Sequence, residues 1–366
     1  MFIKNISLVN YRGYKKMNIA FGNGVNFFIG NNGSGKTNLL EAIYFLALAK
    51  SYKTSDFLTV RLNEEFSKIS AEIETDKVNK IKVVISKIGK KITVDNKDID
   101  KLSDYIGKIK VLAFLPEDMD LIKGPPKNRR YFIDMILGQI DKNYLVELNN
   151  YRNILRQRNE LLKTLSETKQ KDFTLLDIYT EQLADSSRII VKYRKSFIDK
   201  INVELSKMYH YLAANDKNII FKYNPVIEDD FLNEFKEKYQ KDLIFKTTST
   251  GPHRDDYDFI ISDIDAKDFA SQGEQRVIIL AIILAISNII IEEKNIKPIL
   301  LLDDVFSELD YLRQNQLVKY LNSTGMQSII TSTNIKDINS SFMINSKIFN
   351  VKNHFVKEDK INGQQN

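Results

Sequence analysis

Apolar and polar residues alternate over residues 2–9 and again over 17–21, whereas residues 25–29 are apolar almost throughout. A period of two predicts half-buried strands, and the short continuous run predicts a strand buried on both faces. Over residues 37–50 the period lengthens. Leu39, Leu40, Ile43, Leu46 and Ala47 recur at helical spacing with no Gly or Pro among them, so a helix is expected after the intervening glycine-rich turn. Three β-like stretches, 69–73, 81–85 and 92–94, are separated by short polar turns and predict an antiparallel meander.

From about residue 129 to 211 there is no Pro and one Gly, Gly138, and the apolar spacing is helical. This predicts an insertion of two or three antiparallel helices, with heptads too irregular for a long coiled-coil arm. After Gly251 the chain returns to α/β punctuation: a helix from Gln275, a strand at 299–302, a helix from Leu312 and a strand at 328–331. Residues 277–291 are nearly all apolar, but Ser287 and Asn288 interrupt them and Arg276 and Glu292 flank them. That predicts a buried core helix rather than a membrane span. The polar residues 357–366 are expected to fray. The expected division is 1–125, 126–245 and 246–366, with the first and last parts forming one α/β domain around a mostly helical insertion.

The 366 residues are 43% hydrophobic and 28% charged, ordinary values for a folded chain. Lys plus Arg number 54 against 48 Asp plus Glu, a net charge of +6 that favours polyanionic partners without requiring them. The absence of cysteine excludes disulfides, cysteine nucleophiles and thiolate metal sites. His210, His253 and His354 are too scattered for a local imidazole cluster, so any metal is expected on oxygen ligands. Residues 1–18 lack the apolar core of a secretion signal, so residue 1 is taken as the start of the fold and the location as cytoplasmic.

Gly30-Asn31-Asn32-Gly33-Ser34-Gly35-Lys36-Thr37 satisfies G-x-x-x-x-G-K-[ST] between an apolar run and a helical pattern, the context this phosphate-binding loop requires. Its glycines let backbone N–H groups curl around phosphate oxygens, Lys36 reaches the β/γ-phosphates and the Thr37 hydroxyl ligates Mg²⁺. Asp303 and Asp304 follow the apolar residues 299–302. Asp303 is the expected Mg²⁺ partner, and Asp304 the oxygen base beside the γ-phosphate; taken alone, the pair also reads as a helix cap and a solvated acid. Ser271-Gln272-Gly273-Glu274-Gln275 precedes the apolar helix, either as an anion site at a helix N-terminus or as a plain cap.

The order of these motifs, ending in Ser307-Glu308-Leu309-Asp310, resembles the head of ABC-type ATPases: a P-loop α/β domain with an antiparallel β subdomain, here carrying a mostly helical second domain. Further segments narrow the resemblance to the RecF family of bacterial recombination mediators. They are Asn10-Tyr11-Arg12-Gly13-Tyr14, the stretch from Thr37 to Tyr44, Pro116-Glu117-Asp118, Gly124-Pro125-Pro126 with Arg129-Arg130, and Gly251-Pro252-His253-Arg254-Asp255-Asp256. The Asp-Asp pair, and Thr331 where transporter ATPases carry a switch histidine, fit the same family. Glu117 and Asp118 stand where ABC proteins carry a glutamine loop.

The resemblance implies that Gly30 to Thr37 bind ATP, with Arg12 near the nucleotide and Thr331 as a sensor of the γ-phosphate. It implies that Lys36 and Asp304 act in hydrolysis, that Thr37 and Asp303 hold Mg²⁺, and that Ser271, Gly273 and Gln275 act in trans on a partner's nucleotide, with Ser307 and Asp310 in the D-loop. The implied protein is a weak, DNA-stimulated ATPase that dimerises on ATP. It would bind single- and double-stranded DNA at gaps or junctions and assist RecA loading with RecR and RecO. From the residues themselves, Lys127, Arg129 and Arg130, then Arg152, Arg156 and Arg158, form basic clusters that read equally as DNA contacts or as a solvated helix face. His253 and Arg254 read as partners of either a phosphate or an internal carboxylate. A structural SMC-like protein would need a longer coiled coil, and a transporter ATPase would carry the loop glutamine and the switch histidine.

Overall fold

The computed structural model describes residues 1–168, 172–215, 217–333 and 346–359. The chain opens with strands β1 (Phe2–Tyr11), β2 (Tyr14–Ala20) and β3 (Val25–Ile29), then helix α1 (Lys36–Leu48). Strands β4 (Phe66–Glu74), β5 (Val78–Ser86), β6 (Gly89–Val94), β7 (Lys97–Asp98) and β8 (Val111–Phe114) follow. The helical stretch comprises α2 (Asp120–Lys123), α3 (Pro126–Ile140), α4 (Lys142–Thr168) and α5 (Thr174–Ala213). Next come β9 (Ile219–Asn224), α6 (Phe231–Glu237), α7 (Tyr239–Phe245), β10 (Asp256–Ile261), β11 (Ile264–Asp265) and α8 (Ala266–Phe269). The chain then forms α9 (Gln272–Lys294), β12 (Ile299–Leu302), α10 (Tyr311–Thr324), β13 (Ser328–Ser332), β14 (Lys347–Lys352) and β15 (Phe355–Asp359).

Contacts divide the chain into two compact units, one of Met1–Asp118, Lys207–Asn215 and Ser271–Asn366, the other of Met119–Ser206 and Asp216–Ala270. The division differs from the expected boundaries at 125/126 and 245/246. The motif at residues 251–256 leads into β10, which pairs along its whole length with β9, so it belongs to the second unit and not to the P-loop domain.

The first unit holds two six-stranded sheets. One is antiparallel in the order β2-β1-β4-β5-β6-β7, the expected meander widened by the N-terminal hairpin. The other runs β15-β14-β3-β13-β12-β8 and is parallel apart from β15. A parallel sheet is covered on both faces, which is why β12 reads as an unbroken apolar run, β3 as one interrupted only by Asn26, and every residue of β13, its Ser and Thr included, is buried. Helix α9 is apolar nearly all round and its residues 277–287 are buried, as expected of a core helix. Among the described residues no helix is long and apolar enough to cross a membrane.

Two strands of this sheet have weak sequence signals. β8 is four residues long, and it exists because it pairs in register with β12. β15 is largely exposed and polar, an edge strand antiparallel to β14. Residues 357–359 are therefore paired rather than frayed; the rest of the expected frayed tail lies outside the described residues.

The second unit is mostly helical and holds all but the last turns of the 40-residue α5, whose residues from Lys207 on are counted with the first unit. It also contains the three-stranded sheet β11-β10-β9, which the helical reading of the insertion did not include. Stacked rings of Phe221 on Phe259, at 4.4 Å, and of Tyr223 on Tyr257, at 4.9 Å, tie β9 to β10.

Candidate functional site

Three neighbouring strands of the parallel sheet, in the order β3-β13-β12, end beside one another and carry the site's chemistry. Such C-terminal strand edges are where open α/β sheets bind ligands. β3 leads into Gly30 to Gly35 and then α1, β12 delivers Asp303 and Asp304, and between them β13 delivers Thr331.

Lys36 is buried, and its Nζ arches back over the loop to donate to the carbonyls of Gly30 at 2.5 Å and Asn31 at 3.1 Å. An ammonium has three donors, so one remains for a phosphate. Burial pulls the Lys36 ammonium below its usual range, opposed by the charges of Asp304 and Asp303. The Thr37 hydroxyl reaches Asp303 Oδ1 at 3.2 Å, and the Thr331 hydroxyl donates to the same oxygen at 2.6 Å. Asp303 is 4% exposed. Burial raises its pKa, and the bonds from Thr331 and Thr37 oppose that rise. Asp304 has a left-handed backbone, φ 52°, its N–H donates to Thr331 Oγ1 at 2.8 Å, and its buried Oδ1 has no hydrogen-bond partner.

This donor set fits a hard cation. A desolvated carboxylate facing a hydroxyl is half of an oxygen site that phosphates and water would complete. Among the described residues there is no cluster of three or more His, Cys, Asp or Glu that could hold a metal. Ser34 Oγ, buried in the loop without a partner, is a second polar atom left for a ligand.

Arg12 is engaged within the chain. It makes a two-point ion pair with the fully buried Glu41 of α1, with Nε at 2.8 Å and Nη2 at 2.6 Å, and its Nη1 donates to the Leu58 carbonyl at 3.1 Å. Glu41 also accepts from Ser51 Oγ at 2.6 Å. Sequence reasoning missed this role of Glu41, although Glu41 stands one turn into a helix whose inner face is otherwise apolar.

Ser271 caps α9 in a reciprocal box with Glu274, at 3.2 Å for the hydroxyl and 3.1 Å for the return bond. The capping reading is thus the one observed, and Ser271, Gln272 and Gly273 are exposed. A Cβ on Gly273 would meet nothing within 4 Å of its own chain. Gln275 is 3% exposed and turned into its own chain, so it cannot reach a partner's nucleotide from this position. Of the residues expected in the D-loop, Ser307 Oγ donates to the Asp304 carbonyl at 2.8 Å and Asp310 caps α10 through the Arg313 N–H at 2.9 Å. Glu308, unassigned from sequence, pairs with Arg276 of α9 at 3.1 Å.

In the second unit the basic clusters separate by burial. Arg129 is 5% exposed and bound two-pointed to Asp256, and Arg158 is fully buried against Asp242 at 2.8 Å. Neither is available to DNA, and neither belongs to a solvated face. Arg130 donates to the Asp255 carbonyl at 2.6 Å and Arg152 to Asp134 at 3.2 Å. Lys127, Arg156 and Arg254 are exposed and make no ion pair among the described residues. His253 faces inward, with Nδ1 2.6 Å from the Tyr151 hydroxyl and Nε2 3.1 Å from the Thr248 carbonyl, while Asp255 is salt-bridged to the buried Arg194 at 2.9 Å. The motif at residues 251–256 is thus an internal polar knot with Arg254 left outside.

The family model for the RecF/RecN/SMC N terminal domain matches residues 2–357. The DNA replication and repair protein RecF of Streptococcus agalactiae serotype V is 41% identical over 362 residues, covering 96% of each chain. That of Shouchella clausii is 37% identical over 371 residues, covering 98% of this chain and 99% of its own. A solved structure of the recombination mediator protein RecF with ATP in the RecFOR pathway superposes with a TM-score of 0.90 at 31% identity, covering 98% of both chains. An Smc head bound to the C-winged helix domain of ScpA matches over 99% of this chain and 98% of its own, with a TM-score of 0.58 and 15% identity, a likeness of fold alone. With its head fold, motif order and full-length relatives in agreement, the chain belongs to the RecF family of DNA replication and repair proteins.

Proposed function

We propose that this chain is a cytoplasmic, ATP-gated DNA clamp of recombinational repair, a slow and DNA-stimulated ATPase that uses hydrolysis as a timer. The observation that carries the reading is the convergence of Lys36, Thr37, Asp303, Asp304 and Thr331 from three adjacent strand ends. The loop 30–37 would bind the phosphates of ATP, and Thr37 with Asp303 would hold Mg²⁺, which when bound neutralises charge on phosphate oxygens. Asp304 would accept a proton from the attacking water through its unpartnered Oδ1.

A single P-loop leaves one side of a nucleotide in water. Sealing it with the helix N-terminus of a second copy would lower the local dielectric and strengthen each phosphate contact. Exposed Ser271 and Gly273, with open space where a Cβ on Gly273 would stand, support that role in trans. Exposed Lys127, Arg156 and Arg254 would meet DNA phosphates, giving sequence-tolerant and salt-sensitive binding at gaps or junctions. As in the RecFOR pathway, the partners would be RecR and RecO, with RecA loaded downstream.

Sedimentation of the wild type and of Lys36→Arg and Asp304→Asn, with and without ATP and a gapped duplex at two salt concentrations, tests the reading. An ATP-dependent dimer that binds the duplex salt-sensitively, weakened by Lys36→Arg and retained in Asp304→Asn, supports it. A monomer indifferent to ATP, or to DNA at low salt, sinks it.

A further inference from the structure

The loop 30–37 does not hold its shape alone. Strand β14 pairs in parallel with β3, the strand that leads into the loop, and so carries the β14–β15 turn to the loop's start. At that turn the backbone N–H of His354 donates to the Ser34 carbonyl at 2.8 Å. The His354 imidazole fills the space where a Cβ on Gly13 would sit, with ring atoms 2.0–2.4 Å away, and lies 2.8 Å from where a Cβ on Gly35 would stand. It packs edge-on against Tyr14, with centroids 5.4 Å apart at 90°, and the Tyr14 hydroxyl donates to the Gly35 carbonyl at 3.0 Å. The Val351 carbonyl closes the start of the loop, 2.1 Å from where a Cβ on Gly30 would be.

From this geometry we infer that His354 is a positioning residue for the phosphate loop. In a planar trans peptide the C=O and the following N–H point in opposite directions. The bond from the His354 backbone N–H to the Ser34 carbonyl aims the Gly35 N–H the other way, the bond from the Tyr14 hydroxyl to the Gly35 carbonyl does the same for the Lys36 N–H, and the imidazole, packed on Tyr14 and over Gly13 and Gly35, holds both donors in place. The two amides are thereby set before any anion arrives, and a preorganised loop binds more tightly than one that must be ordered on binding. The glycine between Arg12 and Tyr14 follows from the same contact, because one imidazole excludes any side chain at residue 13. The inference rests on the reading of the loop as an ATP site only for its consequence; the preorganisation itself belongs to the free chain.

The test uses the full chain with His354→Ala, His354→Phe, Gly13→Ala and the double variant Gly13→Ala/His354→Ala. Without nucleotide, amide exchange over residues 30–37 should quicken in His354→Ala and Gly13→Ala but not in His354→Phe, which keeps the ring. With ATP, each quickened variant should bind about tenfold more weakly, with KM raised and kcat unchanged. The double variant should be no weaker than His354→Ala alone, because the added methyl then fills vacated space. Unchanged exchange in His354→Ala, or additive losses in the double variant, would overturn the inference. Failure of the wild type to bind ATP would instead overturn the ATP reading, which the exchange measurement does not depend on.

Discussion

Thr331 of β13 and Asp303, the residue that follows the adjacent parallel strand β12, are joined by a 2.6 Å hydrogen bond, and the same Thr331 oxygen receives the N–H of Asp304 at 2.8 Å. One fully buried hydroxyl thus fixes both acids of the pair. Thr331→Val keeps the shape and removes both bonds. A bond to a charged group contributes about 1.5–3 kcal/mol, so steady-state hydrolysis should fall roughly ten- to a hundredfold. ATP binding, measured by calorimetry, should change less than threefold, since the loop is untouched; equal losses in both would place Thr331 in binding rather than in the chemical step.

Asp304 occupies the left-handed region, φ 52°, which Asn tolerates and Ala resists. Asp304→Asn should bind ATP and stay dimeric without turnover. Asp304→Ala should lose turnover as well and melt at a lower temperature, with about 1 kcal/mol of backbone strain. Identical melting temperatures for the two variants would contradict the strain assignment.

Burial drives the His253 imidazole down to about 4, with the Thr248 carbonyl opposing and the Arg254 and Arg130 charges reinforcing the shift. An unfolded histidine titrates near 6.5, so between pH 6.5 and 4 the unfolded chain binds more protons than the folded one. Stability is therefore complete above pH 6.5 and falls as the pH drops toward 4, by at most about 3 kcal/mol from this group. Urea unfolding at pH 7.5 and 5.0 should give a smaller pH difference for His253→Gln than for the wild type. An equal difference in both would remove His253 as the cause.

Arg158 and Lys127 should respond in opposite ways. Arg158→Ala leaves the fully buried Asp242 without its charge partner and should destabilise the chain by about 3–5 kcal/mol. Lys127→Ala should leave unfolding unchanged while reducing the salt dependence of duplex binding by about one phosphate contact. A stable Arg158→Ala protein that merely loses DNA would reverse these assignments.

Much of the site was legible in advance for a local reason. A phosphate loop is built from consecutive residues, and its flanking strand and helix announce themselves by period. The same holds for Asp303 and Asp304, which follow four buried residues of β12. The basic clusters were not legible in this way. Arg129, Arg156 and Arg158 look alike in the sequence, yet Asp256 and Asp242, 127 and 84 residues downstream, take two of them inside. Gln275 was placed with its exposed neighbours Ser271 and Gly273, and the helix turn carries it inward instead. The strands β9 and β10 carry alternating residues, but β9 comes after the helices α2 to α5 and finds its partner only across residues 225–255.

The sequence by itself therefore determined what short-range chemistry can specify: the loop 30–37, the acid pair, the apolar strands that hold them and the order that marks the family. Only the tertiary structure decided which charges are neutralised inside. It also set the Thr331 hydroxyl on Asp303 and brought His354 against Gly13. Each of these depends on partners distant in sequence, whose meeting is set by sheet register and packing rather than by any local pattern.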